Sequence, residues 1–407
     1  MREKVKITVH RGSHQIGGCC TTIEYKKSRI AIDLGRPLNK KDKGKIHVPG
    51  LTYGKKAYDA VFLTHYHDDH VGEAYRALPG IPLYIGACAK DILKAYAGVR
   101  EIDPRRRFLW RRLQGILEGQ TVTAGEFRVT AIPSDHSAID SFMYLIEAGN
   151  KRILHTGDFR LHGLRKEELL KGISRLSPID VLITEGTAIL KDTAMSASQG
   201  SGVLTGGRSE EWVGAELARK STAYKYCFVL ASPSNLDRIR LIGECAAEGK
   251  KLVVSRFQNC LMKIAERHGL LDFGERVLPN VILPSGIRGK DFTKKGFVRV
   301  IGTGIQSRLT LRYFCKKYTE DTCLIYSTWK GYGNRKKVSR LREVAGEHYY
   351  TIHTSGHVKK DDLNTFIETV NPSNIIVIHT ECEDVTKSSI ACRERIIKVK
   401  DGETISV

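Results

Sequence analysis

The chain reads as an α/β protein in which a second α/β domain is inserted into the first. Three observations predict this. Six apolar, strand-like segments each end in a histidine or a carboxylate. A long Gly- and Ser-rich stretch interrupts their succession. Beyond it a strand–helix–strand pattern begins, the mark of a parallel sheet. A length of 407 residues accommodates two or three domains and buries a core without disulfides.

The six segments are RIAIDLG, ending near Asp33; AVFLTHYHDDH, with His65, His67, Asp69 and His70; FRVTAIPSDH, with His136; RILHTGD, with Asp158; DVLITEG, with Glu185; and NIIVIHTE, with His379. Strands that end together set these groups along one sheet edge, where rigid scaffolds carry their sites. Between the first two, residues 37–50 (PLNKKDKGKIHVPG) are polar and rich in turn formers, an exposed loop. Residues 186–214 form the Gly-rich seam between domains.

After the seam, YCFVLA (226–231) is a buried strand. Ser232, Ser234 and Asn235 are residues of the helix-capping type, and LDRIRLIGECAAEG then reads as a helix ending at Gly249. KLVVS (251–255) and TCLIYS (322–327) are further strands. The insert therefore occupies about 191–344, between a first domain at 1–190 and its return at 345–407.

Composition narrows the function. A formal charge of +21 favours a polyanionic partner. No run of about 18 apolar residues occurs, which argues against a membrane span. The opening MREKVKITVH lacks the apolar core of a signal peptide. Ten scattered cysteines, with no CxxC pair, read as reduced thiols of a cytoplasmic protein.

The cluster His65-x-His67-x-Asp69-His70 is the sharpest chemical signal. Imidazoles two residues apart in a turn converge on one cation, and the next two residues face a second position. Zinc takes such N and O ligands, and a catalytic site needs three of them and one open place. His65, His67 and His136 can supply one zinc; Asp69, His70 and His379 a second; Asp158 can bridge both. Two metals roughly 3.5–4 Å apart acidify a water and clamp the oxygens of an in-line displacement, which suits phosphoester hydrolysis. Asp33 and Glu185 have no evident metal slot and are expected to orient ligating imidazoles. In His353-Thr-Ser355-Gly356-His357, glycine lets backbone approach a ligand closely, and a histidine can donate to a phosphate or protonate a leaving oxygen. DPRRRFLWRR (103–112) sets Arg105, Arg106 and Arg107 beside Phe108 and Trp110, a pairing suited to phosphate and base stacking; NRKKVSRLR (334–342) is a second basic run.

Together these motifs resemble the metallo-β-lactamase superfamily, and within it the β-CASP nucleases. THYHDDH is similar to the superfamily's T-H-x-H-x-D-H motif, and AIDLG, PSDHS and HTGDF to its other core motifs. Glu185, His357 and His379 match the three β-CASP motifs, and H-x-S-G-H with the opening HQIGG resembles the bacterial and archaeal ribonuclease J group. The resemblance implies an αββα metallo-β-lactamase sandwich with an inserted α/β β-CASP domain, two Zn2+ per chain, and substrate in the cleft between the domains. It implies Asp69, His357, Glu185 and Asp33 as catalytic residues. His353, Ser355, Gly356, Ser232, Asn235 and Arg105 to Arg107 are expected to bind substrate. A histidine at the third β-CASP position, here His379, is typical of RNA-processing members, so single-stranded RNA is expected over DNA. The implied activity is a 5′-to-3′ exoribonuclease with possible endonuclease action. The alternatives are a DNA nuclease of the same fold, a small-molecule ester or thioester hydrolase, and a non-catalytic RNA-binding scaffold. Typical ribonuclease J proteins carry a further C-terminal domain used in assembly, so no oligomeric state carries over.

Overall fold

A computed structural model describes residues 3–38, 44–99, 104–189, 208–246, 249–273 and 296–407. Part of the 37–50 loop and most of the Gly-rich seam lie outside these residues. The chain divides into two units: Met1–Leu161, Arg165–Gly202 and Gly356–Val407 form one, His162–Leu164 and Val203–Ser355 the other.

The first unit contains β1 (Lys6–Arg11), β2 (Cys20–Tyr25), β3 (Ser28–Ile32), β4 (Ala60–Phe62), β5 (Leu83–Gly86), β6 (Leu113–Ile116), β7 (Thr121–Ala124), β8 (Phe127–Ser134), β9 (Ser141–Ala148), β10 (Lys151–His155) and β11 (Val181–Glu185). The second unit contributes β12 (Tyr226–Ala231), β13 (Lys251–Val253), β14 (Phe297–Ile301), β15 (Thr322–Ser327) and β16 (Tyr349–Thr351). The chain then returns to the first unit for β17 (Asn374–Ile378) and β18 (Thr404–Ser406).

Two sheets build the first unit, in the orders β18-β1-β2-β3-β4-β5-β6 and β17-β11-β10-β9-β8-β7. Their facing surfaces share one core: Ile7, Ile23, Ile30 and Phe62 from the first sheet meet Phe127, Phe142, Tyr144, Ile153, Val181 and Ile376 from the second. The period-two rule of a strand is visible residue by residue. Phe142, Tyr144 and Ile146 enter the inter-sheet core, whereas Met143 and Leu145 join the outer layer. Leu154, Leu182, Ile375 and Val377 also face outward, onto helices Lys166–Ile173 and Lys360–Val370. Helix Ala87–Val99 packs on β5 and β6 of the other sheet. Helix, sheet, sheet, helix is the αββα sandwich expected. The continuous apolar runs of β10, β11 and β17 follow, because both of their faces are covered.

In the second unit all five strands are parallel, in the order β13-β14-β12-β15-β16. Its core is largely aromatic, with Tyr226, Phe228, Phe297 and Phe314 in edge or tilted contact. The strands at 226–231 and 322–327 fall where the sequence puts them. The strand–helix–strand unit joins β12 and β13 within one parallel sheet, with β14 lying between them. The sequence also places the return to the first domain near 345, but β16 pairs with β15, which keeps the chain in the second unit through Ser355. Among the described residues no helix is long and apolar enough to cross a membrane. All ten cysteines are unbridged.

Phe62 is fully buried between the sheets, stacked on Tyr84 with ring centroids 5.1 Å apart and edge-on to Tyr144 at 5.4 Å. Replacing it by alanine removes ring contacts to both sheets and leaves a cavity. Phe62→Ala is expected to cost about 3–5 kcal/mol, read from the shift in denaturant midpoint.

Candidate metal centre

Every ligand-type residue that the sequence singles out at a strand end lies in the first unit. Two strand ends turn in the left-handed backbone region: Asp33 after β3 has φ 60° and His379 after β17 has φ 53°. Such non-glycine conformations are costly and persist where surrounding structure over-determines them. At Asp33 the determinants are visible. Its carboxylate accepts from Thr64 N at 2.8 Å and pairs with His70 Nδ1 at 2.7 Å. The following loop is sewn to the DDH segment: Leu34 N–H donates to His70 O and Arg36 N–H to Asp68 O. Gly35 permits this closeness, since a Cβ there would lie 1.7 Å from Asp69 O.

The imidazoles share one pattern. Their Nδ1 atoms are tied to protein groups and their Nε2 atoms converge. His65 Nδ1 is 3.0 Å from Thr64 Oγ1, whose own hydrogen is directed to Asp33. His136 Nδ1 donates to Gly356 O at 2.6 Å. His379 Nδ1 is 2.7 Å from Thr187 Oγ1, and His357 Nδ1 3.0 Å from Glu185 Oε2. The exception is His67, which turns Nδ1 inward, 3.1 Å from His65 Nε2 and 3.2 Å from His136 Nε2. Three ring nitrogens therefore face one another. With the Nδ1 protons of His65 and His136 engaged elsewhere, their Nε2 atoms present lone pairs, an arrangement that a shared cation relieves.

Asp158 lies between the groups. Its Oδ2 is 3.2 Å from His70 Nε2, 3.9 Å from His65 Nε2 and 4.0 Å from His136 Nε2; its Oδ1 is 3.8 Å from His379 Nε2. Asp69 Oδ2 is 3.3 Å from His379 Nε2. His70 Nε2 and Asp158 Oδ1 are buried without a hydrogen-bond partner, a condition that buried polar atoms rarely tolerate. The donor atoms form overlapping groups, each within 4.8 Å: His65, His67 and His136; Asp69, His70, Asp158 and His379; and Asp158, Glu185, His357 and His379. Imidazole and carboxylate at this density are the donor chemistry of divalent zinc, and the unpartnered atoms fit it.

Electrostatics agree. Burial, reinforced by neighbouring imidazoles, pushes His65 and His136 well below the usual histidine range, and burial lowers His67. These rings are held neutral, the form that ligates metal. Burial opposes ionisation of Asp158, yet His379, His70 and His357 together hold its carboxyl well below the usual range.

The predicted substrate residues fare differently. Gly356 makes its close approach to the protein's own His136 and Ser137, where a Cβ would lie 2.6 Å from Ser137 Oγ. Asn235 Oδ1 caps its helix by accepting from Arg238 N at 3.1 Å, and Ser232 Oγ is 3.1 Å from Ser234 Oγ. His353 Nδ1 lies 3.4 Å from the buried Arg238 guanidinium, and Ser355 O accepts from His162 Nε2 at 3.0 Å. All four belong to the second unit. Arg106 pairs with Asp68, Arg107 is exposed, and the Arg105 side chain lies outside the described residues. Sequence reasoning missed Thr64, Thr187 and Cys19. The signal for the threonines was a hydroxyl beside each motif, in LTHYH and EGT.

A β-lactamase superfamily domain model matches residues 40–220, and a Zn-dependent metallo-hydrolase RNA specificity domain matches 343–400. Ribonuclease J of Helicobacter pylori is 24% identical over 450 aligned positions, covering 100% of this chain and 61% of that protein. Ribonuclease J of Mycobacterium tuberculosis is 24% identical, covering 92% and 68%, and Ribonuclease J2 of Bacillus subtilis 23%, covering 93% and 70%. The chain thus spans about three fifths of the length of the Helicobacter relative. In fold it is similar to a crystal structure of a protein of unknown function from Enterococcus faecalis, with TM-score 0.75, 20% identity and coverage of 99% and 100%. Fold and donor set define a metallo-β-lactamase-type metallo-hydrolase domain. Within that superfamily, the two matched domains and the ribonuclease J relatives support a ribonuclease J-like β-CASP family for the chain.

The buried neutral rings give a pH prediction. Burial holds His155 down at about 4 in the folded chain, against about 6.5 unfolded, and His65, His67 and His136 shift the same way. For these four rings the unfolded state binds more protons below pH 6.5, so their contribution is complete above that pH and lost as pH falls toward 4; His70, which burial would lower but Asp158 and Asp33 hold well above the usual range, contributes with the opposite sign. Metal-free protein is expected to show a falling denaturant midpoint between pH 7 and 5, and His155→Gln a shallower fall. An equally steep fall in His155→Gln and wild type would refute the neutral His155 ring.

Proposed function

We propose that this chain is a zinc-dependent ribonuclease. It holds two zinc ions and hydrolyses phosphodiester bonds of single-stranded RNA 5′-to-3′ from a monophosphate end, with some internal cutting. The observation that carries the proposal is the convergence of His65, His67, His136, Asp69, His70, Asp158 and His379 on a centre where His70 Nε2 and Asp158 Oδ1 lack partners. Support for RNA comes from the ribonuclease names of the relatives, the match to an RNA specificity domain and the net charge of +21. His65, His67 and His136 would hold one ion, and Asp69, His70 and His379 the other, with Asp158 between. When bound, the ions supply Lewis acidity for attack of water on the phosphodiester.

The protein's own residues do the rest. Asp33 and Thr64 fix His70 and His65; Gly356 O fixes His136; Thr187 fixes His379. His357 is set apart by access: its side chain is 25% exposed, against 2% or less for His65, His70, His136 and His379. Glu185 accepts the Nδ1 hydrogen of His357, and its other oxygen accepts from Phe159 N at 2.8 Å. A carboxylate anchored at both oxygens stabilises a protonated ring, which leaves His357 Nε2 to deliver a proton to the departing 3′ oxygen. Glu185 positions that ring.

Two measurements test this. Elemental analysis of reconstituted protein is expected to give two zinc ions per chain. His67→Ala should lose metal and activity together, while His357→Ala should keep its metal and lose roughly 100-fold or more in rate. Zinc loss in His357→Ala would make that residue a ligand instead. Separately, 3′-labelled RNA should shorten progressively and faster from a 5′-monophosphate than from a 5′-hydroxyl. The logarithm of binding should fall with the logarithm of salt by about 0.7 per phosphate contacted. Early internal fragments indifferent to the 5′ end would make the enzyme an endonuclease, and preferential cutting of DNA would overturn the RNA assignment.

A further inference from the structure

We infer that Cys19 is a sulfur ligand of the metal position formed by Asp69, His70, Asp158 and His379, and that it biases this position toward zinc over harder divalent ions. The inference rests on the metal reading above. Cys19 Sγ and the ring nitrogens of His70 and His379 all lie within 4.8 Å of one another, and Cys19 is only 2% exposed. The sulfur makes no hydrogen bond among the described residues.

An independent observation points to the same place. Of the buried polar atoms lacking a partner, His70 Nε2 and Asp158 Oδ1 belong to this position. A buried cysteine often serves as a small apolar filler. A filler, however, sits among apolar side chains, whereas Cys19 sits beside the imidazole pair of His70 and His379.

The backbone holds the sulfur firmly. Cys19 N–H donates to Asp69 O at 3.1 Å, and Cys19 O accepts from Gly35 N at 2.8 Å. Cys19 is thereby tied to the segment that carries Asp69 and His70 and to the turn that follows Asp33. On the far side, Gly12 O accepts from His379 N at 2.7 Å, and a Cβ on Gly12 would lie 3.5 Å from the sulfur. The ligand-bearing segments thus position the thiol together with the histidines.

Coordination forms a sulfur–metal bond and breaks the S–H bond, with the proton released to solvent. A soft thiolate favours zinc over manganese or magnesium, which prefer oxygen donors. The two metal positions then differ in kind: His65, His67 and His136 offer nitrogen alone, whereas the other offers nitrogen, oxygen and sulfur.

X-ray absorption at the zinc edge of the fully loaded wild-type chain reads this directly. A sulfur scatterer at about 2.3 Å is expected, and it should vanish in Cys19→Ser. Cobalt loading should produce a thiolate-to-cobalt charge-transfer band that the variant lacks. The zinc-over-manganese preference of the variant, from competition dialysis, should fall roughly tenfold. A shell of nitrogen and oxygen alone in the wild-type protein overturns the inference while leaving the metal reading intact. Survival of the sulfur signal in Cys19→Ser overturns it equally. A chain that binds no metal overturns both. The wild-type spectrum decides even if the variant fails to fold.

Discussion

Imidazoles gathered in a water-poor pocket repel one another once charged, and their ring nitrogens compete for any hydrogen between them. The first unit resolves this by drawing the Nδ1 of four rings outward to fixed partners: Thr64 for His65, Asp33 for His70, Gly356 O for His136 and Thr187 for His379. The partner fixes the ring plane, and at His65 and His136, which burial holds neutral, the inward nitrogens become lone pairs of defined direction. Only backbone with no freedom to relax can hold such a cluster, and the rest of the unit serves that end. The donors follow strands whose alternate residues are locked into the inter-sheet core or the outer helical layer, with Asp69 and His70 carried on the short helix Asp68–Val71 after β4.

The same demand explains the strained and glycine positions. Left-handed backbone at Asp33 and His379 turns the chain sharply enough for a side chain at the strand end to face along the sheet edge. Gly35 and Gly356 are sites where one donor-bearing segment must touch another, Asp69 in the first case and His136 in the second. The buried pair Arg160–Asp135, 2.9 Å apart, braces the segment just before His136. A charge pair so deep adds little net stability, and its value here is geometric.

Much of this was legible in the sequence for a physical reason. A strand covered on both faces must be an unbroken apolar run, and a polar residue closing such a run marks the edge, so RILHTGD and NIIVIHTE announce both fold and donors. The parallel sheet of the second unit was visible in YCFVLA and TCLIYS for the same reason. β14 escaped because FVRVI is short and carries Arg299 within it. Thr64 and Thr187 escaped because a hydroxyl beside a histidine has no periodicity to betray it, and its partner is fixed only by folding. The capping chemistry read at Asn235 is local, since its side chain accepts from Arg238 N at its own helix terminus. In Gly356 the sequence revealed a close approach but not its partner, because that partner, His136, lies 220 positions away.

The order of assembly along the chain carries a consequence for synthesis. Both sheets of the first unit are completed from beyond the insert: β17 joins β11, and β18 joins β1. The parallel sheet of the second unit, by contrast, closes entirely within its own stretch of sequence. A ribosome extends a chain at roughly 5–20 residues per second, so about 190 residues separating β11 from β17 correspond to some 10–40 s of elongation. Throughout that interval the nascent chain has its first histidines but not His379, and His357 is added only near its end. The interrupted topology therefore withholds the His379 donor until the whole insert has been made.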